Sequence, residues 1–312
     1  MRDSADNMTE QSHSIRRYCA IWIFGVGCTM LINVGYDISV EVAAPTPVHI
    51  IADVHGSRSA DIVSEIPLAV PAPLVTSTDI FSNRVRRFVA PAGITQLSYR
   101  ATVRDSGLVE RQPFDAEEVP VQHLPDECLN FLTGSRYCET DELSALAWQL
   151  FGNTKPGWTR VQAICNFVHN HIRFDYQNAR ATRTALGAYN EATGVCRDFA
   201  HLAVTFCRCL NIPARYVNGY LGDIAIPPSP DPMDFAAWFE AYIGNEWVTF
   251  DPRNNTPRVG RIVIARGRDA ADVPMITSFG LHFLAGFKVV AEEVSAQDQL
   301  PKTPAPDALR AA

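Results

Sequence analysis

The chain has 312 residues, a formal net charge of −7 at neutral pH and 47% hydrophobic residues. This length suffices for one large domain or two ordinary ones, and the hydrophobic content is typical of a soluble globular protein. Because the charge provides no basic field and no stripe of Lys and Arg is present, we expect no nucleic-acid partner.

The N-terminal residues 16–32 begin with two arginines and continue with mostly apolar residues, over the length of a signal-peptide core. The stretch is short for a membrane span, and no small-residue cleavage site follows it. Since an alternating strand pattern starts directly after Met30, we interpret residues 1–29 as an extension outside the fold. A signal or anchor is the alternative, and only in that case do we expect a membrane partner.

Residues 30–105 predict an N-terminal β domain. Prolines exclude a helix between residues 67 and 73, and no helical pattern separates the alternating stretches. The four predicted strand regions are LINVGYDISVEV from residue 31, PVHIIADV from 47, NRVRRFVAPAG from 83 and TQLSYRATVRD from 95. We predict an antiparallel sheet or small sandwich, followed by a polar, proline-bearing linker at 106–125.

Residues 126–290 predict a core of mixed α and β structure. Apolar residues at helical spacing indicate helices over 140–152, 157–174 and 196–210. Two strand-like runs follow at 236–252, joined by Gly244-Asn245, which is a hairpin signature. Residues 291–312 are polar and contain prolines, so we expect a disordered tail.

Cys196 stands at the head of the third predicted helix, directly after Gly194 and Val195. Unpaired backbone N–H groups and the positive end of the helix dipole make a thiol at this place easier to ionise. The same N–H groups can hold the oxyanion that forms in acyl transfer. An inert core cysteine is the alternative interpretation of this position.

The residues around Cys196 resemble a known family. GVCRDFAHLAVTFCRCLNIPARYVNGY, residues 194–220, is similar to the signature of the transglutaminase-like superfamily, and WFEAYIGNEWVTFDP, residues 238–252, is similar to its hairpin. GRDAADVP at 267–274 and LTGSRYCETDELSALAW at 132–148 resemble segments of the bacterial branch, whose members carry an N-terminal β domain. The resemblance extends over residues 30–290.

This resemblance implies an α+β, papain-like fold, in which the nucleophile helix packs on an antiparallel sheet. It implies cysteine-dependent acyl transfer or amide hydrolysis through a thioester on Cys196, with Asp251 orienting a histidine. Active members have His-Ala-Trp at the start of the hairpin, whereas this chain has Ala236-Ala237-Trp238. Ala236 therefore occupies the position where the family has its general base, so we predict an incomplete triad.

We accordingly expect weak activity toward a peptide or protein substrate. The alternative is a non-catalytic module that binds a peptide or a partner protein in the same cleft, and a third reading leaves the cleft unused. Loss of a general base typically costs about 10²–10⁴-fold in rate, although a thiol depends on its base less than a serine does.

Three histidines and one aspartate are candidate substitutes for the missing base. His201 lies about 140° around a helix axis from Cys196, so we predict that it packs in the core. His169 and His171, on the preceding helix, remain open as substitutes. Asp198 lies in the first turn, where an acidic residue usually serves the helix dipole.

The eight cysteines contain no pair of Cys-x-x-Cys units, so we expect no metal ion and no cofactor. The pairs Cys165 with His169 and Cys207 with Cys209 are weak metal signals. Three cysteines lie in apolar helical runs, as reduced and buried thiols usually do, which favours a reducing, cytoplasmic location.

Overall fold

The computed structural model describes residues 29–230 and 232–294. The predicted extension up to residue 28, and the predicted tail from residue 295 onward, lie outside these described residues. The strands are β1 Met30–Val42, β2 Thr46–Ile50, β3 Ile62–Ile66, β4 Val75–Thr78, β5 Arg84–Ala90, β6 Gly93–Asp105, β7 Arg173–Phe174, β8 Thr193–Gly194, β9 Ala214–Leu221, β10 Ala236–Ile243, β11 Glu246–Phe250, β12 Arg261–Gly267, β13 Ile276–Ser278 and β14 His282–Glu293. The α-helices are α1 Asp126–Leu129, α2 Thr140–Phe151, α3 Trp158–His171, α4 Ala185–Glu191 and α5 Cys196–Cys209.

The N-terminal region contains two four-stranded antiparallel sheets, in the orders β14-β1-β6-β3 and β13-β2-β5-β4. Alternate residues of β1, such as Ile32, Val34 and Tyr36, are buried in a core that also takes Val48 and Phe88 from the second sheet. This is the pattern expected when each strand turns one face inward. The predicted N-terminal antiparallel β structure is confirmed.

The C-terminal strands return to these two sheets, which the sequence did not predict. β13 pairs with β2, and β14 pairs with β1 from Val42 to Ile32. Residues 276–278 and 282–290, predicted to belong to the core, therefore lie in the sheets of the β region, and residues 291–293 lie in β14 rather than in a tail. Strand pairing between distant segments depends on long-range hydrogen bonds, which a local alternation pattern does not encode.

The predicted linker has little regular structure but is docked on the core. The carbonyl of Ala116 accepts a hydrogen bond from the Trp158 N–H at 2.9 Å, and that of Glu117 accepts one from the Gly244 N–H at 2.8 Å. These bonds join the linker to the start of α3 and to the turn between β10 and β11.

The core is a four-stranded antiparallel sheet of order β11-β10-β9-β12, with α5 packed against one of its faces. Phe239 and Ala241 of β10 face α5, and α2, α3 and α4 cover the rest of that helix, so that α5 is buried almost throughout. Gly244 and Asn245 have φ angles of 59° and 64°, as a type I′ hairpin turn requires. The α+β, papain-like fold predicted from the sequence is confirmed.

In the part of the chain that the structure describes, no helix is both long and apolar enough to cross a bilayer.

Gly219 of β9 lies directly opposite Ala236 of β10, and the sheet leaves no room for a side chain there. A Cβ atom at this position would lie 2.2 Å from the Ile262 carbonyl oxygen and 2.4 Å from the Trp238 ring. We expect Gly219→Ala to destabilise the fold by about 1–3 kcal/mol, as overpacking of a core usually does. Gly56→Ala is the matched control for urea denaturation, since the nearest atom to its Cβ would be 4.0 Å away. Equal midpoints for the two variants would contradict this prediction.

Candidate active site

Cys196 is the first residue of α5, and a buried carboxylate fixes the chain at this point. Asp198 accepts a hydrogen bond from the Val195 N–H at 2.9 Å. It also pairs with the guanidinium groups of Arg183 at 3.0 Å and Arg197 at 3.2 Å. We predicted only that Asp198 interacts favourably with the helix dipole. In the structure it also connects the start of α5 to the segment before α4, through its ion pair with Arg183.

Cys196 lines a cavity of about 120 Å³, together with Ala236 at the start of β10. The cavity lies where the first residue of α5 meets the beginning of that strand. Its other described lining residues are Phe174, Tyr176, Leu221, Asp223, Ser229, Pro232, Met233, Asp234, Phe235, Ala237, Arg253, Asn254 and Arg258. The walls thus combine aromatic side chains with both acidic and basic groups next to a thiol.

The pKa of the Cys196 thiol is raised to about 11, chiefly because burial penalises the thiolate. The backbone N–H of Ala237 faces the sulfur and lowers the pKa, while the negative charges of Asp234 and Asp251 raise it. The N–H of Arg197 makes a smaller lowering contribution. The expectation that the helix start makes this thiol easier to ionise is therefore wrong, since desolvation outweighs the N–H groups.

The raised pKa predicts the pH dependence of alkylation at Cys196. Only the thiolate reacts, so below the pKa its fraction grows about tenfold with each pH unit. We expect the rate constant with iodoacetamide to rise from pH 7 and to level off near pH 11, where the thiol titrates. Mass spectrometry of the Cys196 peptide gives the rate constant, and a plateau already reached at pH 8 would contradict the prediction.

Asp251 is buried directly after β11, and its carboxylate has four partners. One oxygen accepts the backbone N–H groups of Arg253 and Asn254, each at 3.0 Å. The other accepts the Asn254 side chain at 2.7 Å and a guanidinium nitrogen of Arg261 at 3.0 Å. Its negative charge raises the pKa of the Cys196 thiol, although Asp251 is not among the described residues that line the Cys196 cavity.

The three histidines weighed as substitutes have other surroundings. His201 is fully buried and stacks on Tyr137, and its Nε2 accepts the Ala270 N–H at 3.1 Å. Its pKa is lowered well below the ordinary value, mainly by burial, so it is a neutral core residue as predicted. His171 Nε2 lies 2.7 Å from the carbonyl oxygen of Tyr189.

His169 is the histidine of α3 that lies beside Asp251. Its Nδ1 is 3.1 Å from the carbonyl oxygens of both Pro252 and Arg253. Because carbonyl oxygens only accept hydrogen bonds, Nδ1 carries the proton, and His169 supports the loop after Asp251. No histidine is among the described residues that line the Cys196 cavity.

Four charged residues of the cavity were missed by sequence reasoning: Asp223, Asp234, Arg253 and Arg258. Asp234 precedes Ala236 by two residues and Arg253 follows Asp251 by two, so each could have been found by its closeness to a predicted site residue. Burial raises the pKa of the Asp234 carboxyl, whose Oδ1 accepts the Phe235 N–H at 2.7 Å. The described walls of the cavity therefore include the Asp234 carboxyl group and no imidazole.

The described cysteines do not form a metal site. Cys128, Cys138, Cys165, Cys207 and Cys209 are free and buried, and Cys196 is free and partly exposed. Within residues 29–230 and 232–294, no three His, Cys, Asp or Glu side chains are grouped so as to hold a metal ion.

A larger cavity of about 430 Å³ lies between the β4–β5 turn and the core sheet. Arg215, Arg266, Phe131 and Trp247 are among its walls, and neither cysteine nor histidine is among the described residues that line it. The guanidinium groups of Arg215 and Arg266 both pair with Glu240. The predicted nucleophile, Cys196, thus lines the smaller cavity.

Comparison with known proteins agrees with this geometry. Residues 144–252 match the model of the transglutaminase-like superfamily, a segment that includes Cys196 and Asp251. The crystal structure of a candidate cysteine protease from Cytophaga hutchinsonii is 32% identical and superposes with a TM-score of 0.75, covering 86% of this chain and 91% of that one.

Two curated relatives are uncharacterized mycobacterial proteins. The one from Mycobacterium leprae is 35% identical over 94 residues, which are 29% of this chain and 33% of that protein. The one from Mycobacterium tuberculosis strain H37Rv is 41% identical over 91 residues, 26% of this chain and 29% of the relative. The chain thus spans about a third of the length of the curated relatives it matches. On the family model and the extended structural match, the chain belongs to the transglutaminase-like superfamily.

Proposed function

We propose that the protein is a cysteine-dependent acyl transferase or amide hydrolase that acts on a peptide or protein through a thioester on Cys196. The observation that carries the proposal is the position of Cys196 at the first turn of a buried helix, in a cavity beside β10. The structural relative from Cytophaga hutchinsonii, described as a candidate cysteine protease, supports the same reaction class.

The chemistry proceeds in two steps. The thiolate attacks the acyl carbon, a C–S bond forms, and the bond to the leaving group breaks, with a leaving amine taking up a proton. Water or an amine then attacks the thioester and returns the thiol. The backbone N–H groups at the start of α5 are the donors available for the oxyanion in both steps.

The rate of the first step is limited by the small fraction of Cys196 that is present as thiolate. With a pKa of about 11, Cys196 is almost entirely protonated at neutral pH. Ala236, at the position where the family has its histidine, cannot take up the proton. We therefore propose slow turnover, with Asp251 holding the loop after β11 in place.

The proposal is tested with p-nitrophenyl acetate, a simple activated acyl donor. We expect one acetyl group on the Cys196 peptide, removed by hydroxylamine as a thioester is, and p-nitrophenolate release that increases with pH. Cys196→Ala should abolish both signals. Cys209→Ala, which removes a free buried thiol elsewhere on α5, should leave them unchanged. Absence of the Cys196 adduct at every pH, or an equal adduct in Cys196→Ala, would refute the proposal.

A non-catalytic module that binds a peptide or a partner protein is the second candidate. It is favoured by the same two observations that predict slow turnover, the raised pKa of the thiol and the alanine at position 236. Under this candidate the Cys196 peptide remains unmodified by p-nitrophenyl acetate, so the acylation experiment also separates the two functions.

A further inference from the structure

The charged groups of the Cys196 cavity are not all paired. Arg258 donates to the Gly222 carbonyl at 2.9 Å and lies 3.9 Å from the Asp223 carboxylate. Arg253, by contrast, forms no ion pair with any residue that the structure describes. The cavity therefore presents one guanidinium charge that no described carboxylate neutralises.

Arg253 is nevertheless held in place. Its guanidinium carbon stands 4.3 Å from the centroid of the Phe174 ring, and its Nη1 donates to the Asn254 side chain at 2.7 Å. Its backbone N–H donates to the buried Asp251 carboxylate at 3.0 Å, which fixes the chain at Arg253. Among the described residues, neither Nε nor Nη2 has an acceptor. Arg253 is exposed, so its free donors face solvent until an acceptor arrives, while the ring and Asn254 restrict where the guanidinium lies.

The size and chemistry of the cavity restrict that acceptor. Two parallel N–H groups of a guanidinium match the two oxygens of a carboxylate. The cavity beside the sulfur has room for a carboxylate near the reacting carbon. The formal net charge of −7 would not attract an acidic substrate from a distance, so recognition has to occur at this local contact.

We propose, resting on the function above, that Arg253 binds a carboxylate of the substrate and thereby selects acyl donors with an anionic group next to the carbonyl that Cys196 attacks. Arg253 is on this account a specificity-determining residue of the site. Asp234 lines the same cavity without an ion pair among the described residues. Its negative charge opposes the binding of an anion, so the affinity of the cavity for a carboxylate depends on both Arg253 and Asp234.

Iodoacetate and iodoacetamide test the proposal on the full chain, because they share the same reacting carbon and differ in charge. The thiolate attacks the CH₂ carbon, a C–S bond forms and iodide leaves in both reactions. The ratio of their rate constants at the Cys196 peptide therefore cancels the thiolate fraction and reports recognition of the carboxylate. We expect Arg253→Gln to lower the ratio of iodoacetate to iodoacetamide by about fivefold to tenfold, and Arg253→Lys to lower it less.

Arg136→Gln is the matched control. The Arg136 guanidinium also stands over a ring, 4.8 Å from the Tyr137 centroid, forms no ion pair with a described residue, and does not line the cavity. Its ratio should equal that of the wild type. An unchanged ratio in Arg253→Gln, or an equal fall in Arg136→Gln, would overturn the proposal. Alkylation does not require turnover, so a protein that fails to form the acetyl adduct but shows the Arg253 effect would separate the failure of the proposed function from that of the carboxylate site.

Discussion

Replacing Ala236 by histidine is expected to lower the pKa of the Cys196 thiol from about 11 by about two units or more. Ala236 lines the cavity that contains the thiol, and the N–H of the next residue, Ala237, faces the sulfur. An imidazolium introduced there would stabilise the thiolate, and the buried charge of Asp251 would stabilise the imidazolium. Because each pKa unit changes the thiolate fraction about tenfold, alkylation at pH 7.5 should accelerate about 10²-fold or more.

The pH profile of iodoacetamide alkylation at the Cys196 peptide measures this effect. Ala236→Gln is the matched control, since it adds a side chain of similar size that binds no proton in this pH range, and its profile should follow that of the wild type. Combining Ala236→His with Asp251→Asn should reduce the gain, because the carboxylate that faces the imidazolium is neutralised. If Ala236→His leaves the profile unmoved while the protein stays folded, a side chain at position 236 does not reach the thiol.

Replacing Asp198 by alanine is expected to cost about 3 kcal/mol of unfolding free energy, the loss typical of a buried ion pair from which one partner is removed. The Asp198 side chain is fully buried, and Arg183, with which it pairs at 3.0 Å, has only 3% of its side chain exposed. The substitution also leaves the Val195 N–H without its acceptor at the start of α5. Arg183 keeps Glu191 at 3.0 Å, which limits the loss.

Urea denaturation followed by circular dichroism measures the loss. Asp198→Asn should fall between the wild type and Asp198→Ala, because an amide oxygen still accepts a hydrogen bond but carries no charge. Asp175→Ala is the control: Asp175 also accepts a backbone N–H, from Gln177 at 2.9 Å, but it does so in contact with solvent, so little stability should be lost. Similar midpoints for Asp198→Ala and Asp175→Ala would show that burial of the Asp198 pair has no energetic consequence.

Three helices and the hairpin of the core were predictable because their patterns are local, whereas α1 and α4, with four and seven residues, were not predicted. Apolar residues at a spacing of three and four along 158–171 and 196–209 place one face of each helix inward, and the structure has α3 and α5 over these residues. Gly244-Asn245 specifies the turn between β10 and β11 by its positive φ angles. The order of the motifs was sufficient to predict the family, and the roles of Cys196 and Asp251 stay a prediction.

The pairing of the C-terminal strands with the sheets of the β region was not predictable from local patterns. In β14 only Val289 and Ala291 are buried, so no alternation marks the strand, and its partner β1 lies more than 200 residues earlier in the chain. The sheet edge that a strand joins depends on the whole fold, because distant segments form hydrogen bonds only when both pack against the same core.

The amino-acid sequence by itself thus determined three helices and the hairpin of the core, the cysteine at a helix start and the alanine at position 236. Only the tertiary structure decided the properties of the site. The pKa of Cys196 is raised because packing around the sulfur removes water, an effect that outweighs the helix start from which a lower pKa was expected. Asp234 and Arg253 enter the cavity for a similar reason, since the distance from a charge to the thiol is fixed by how β10 and the loop after β11 meet α5.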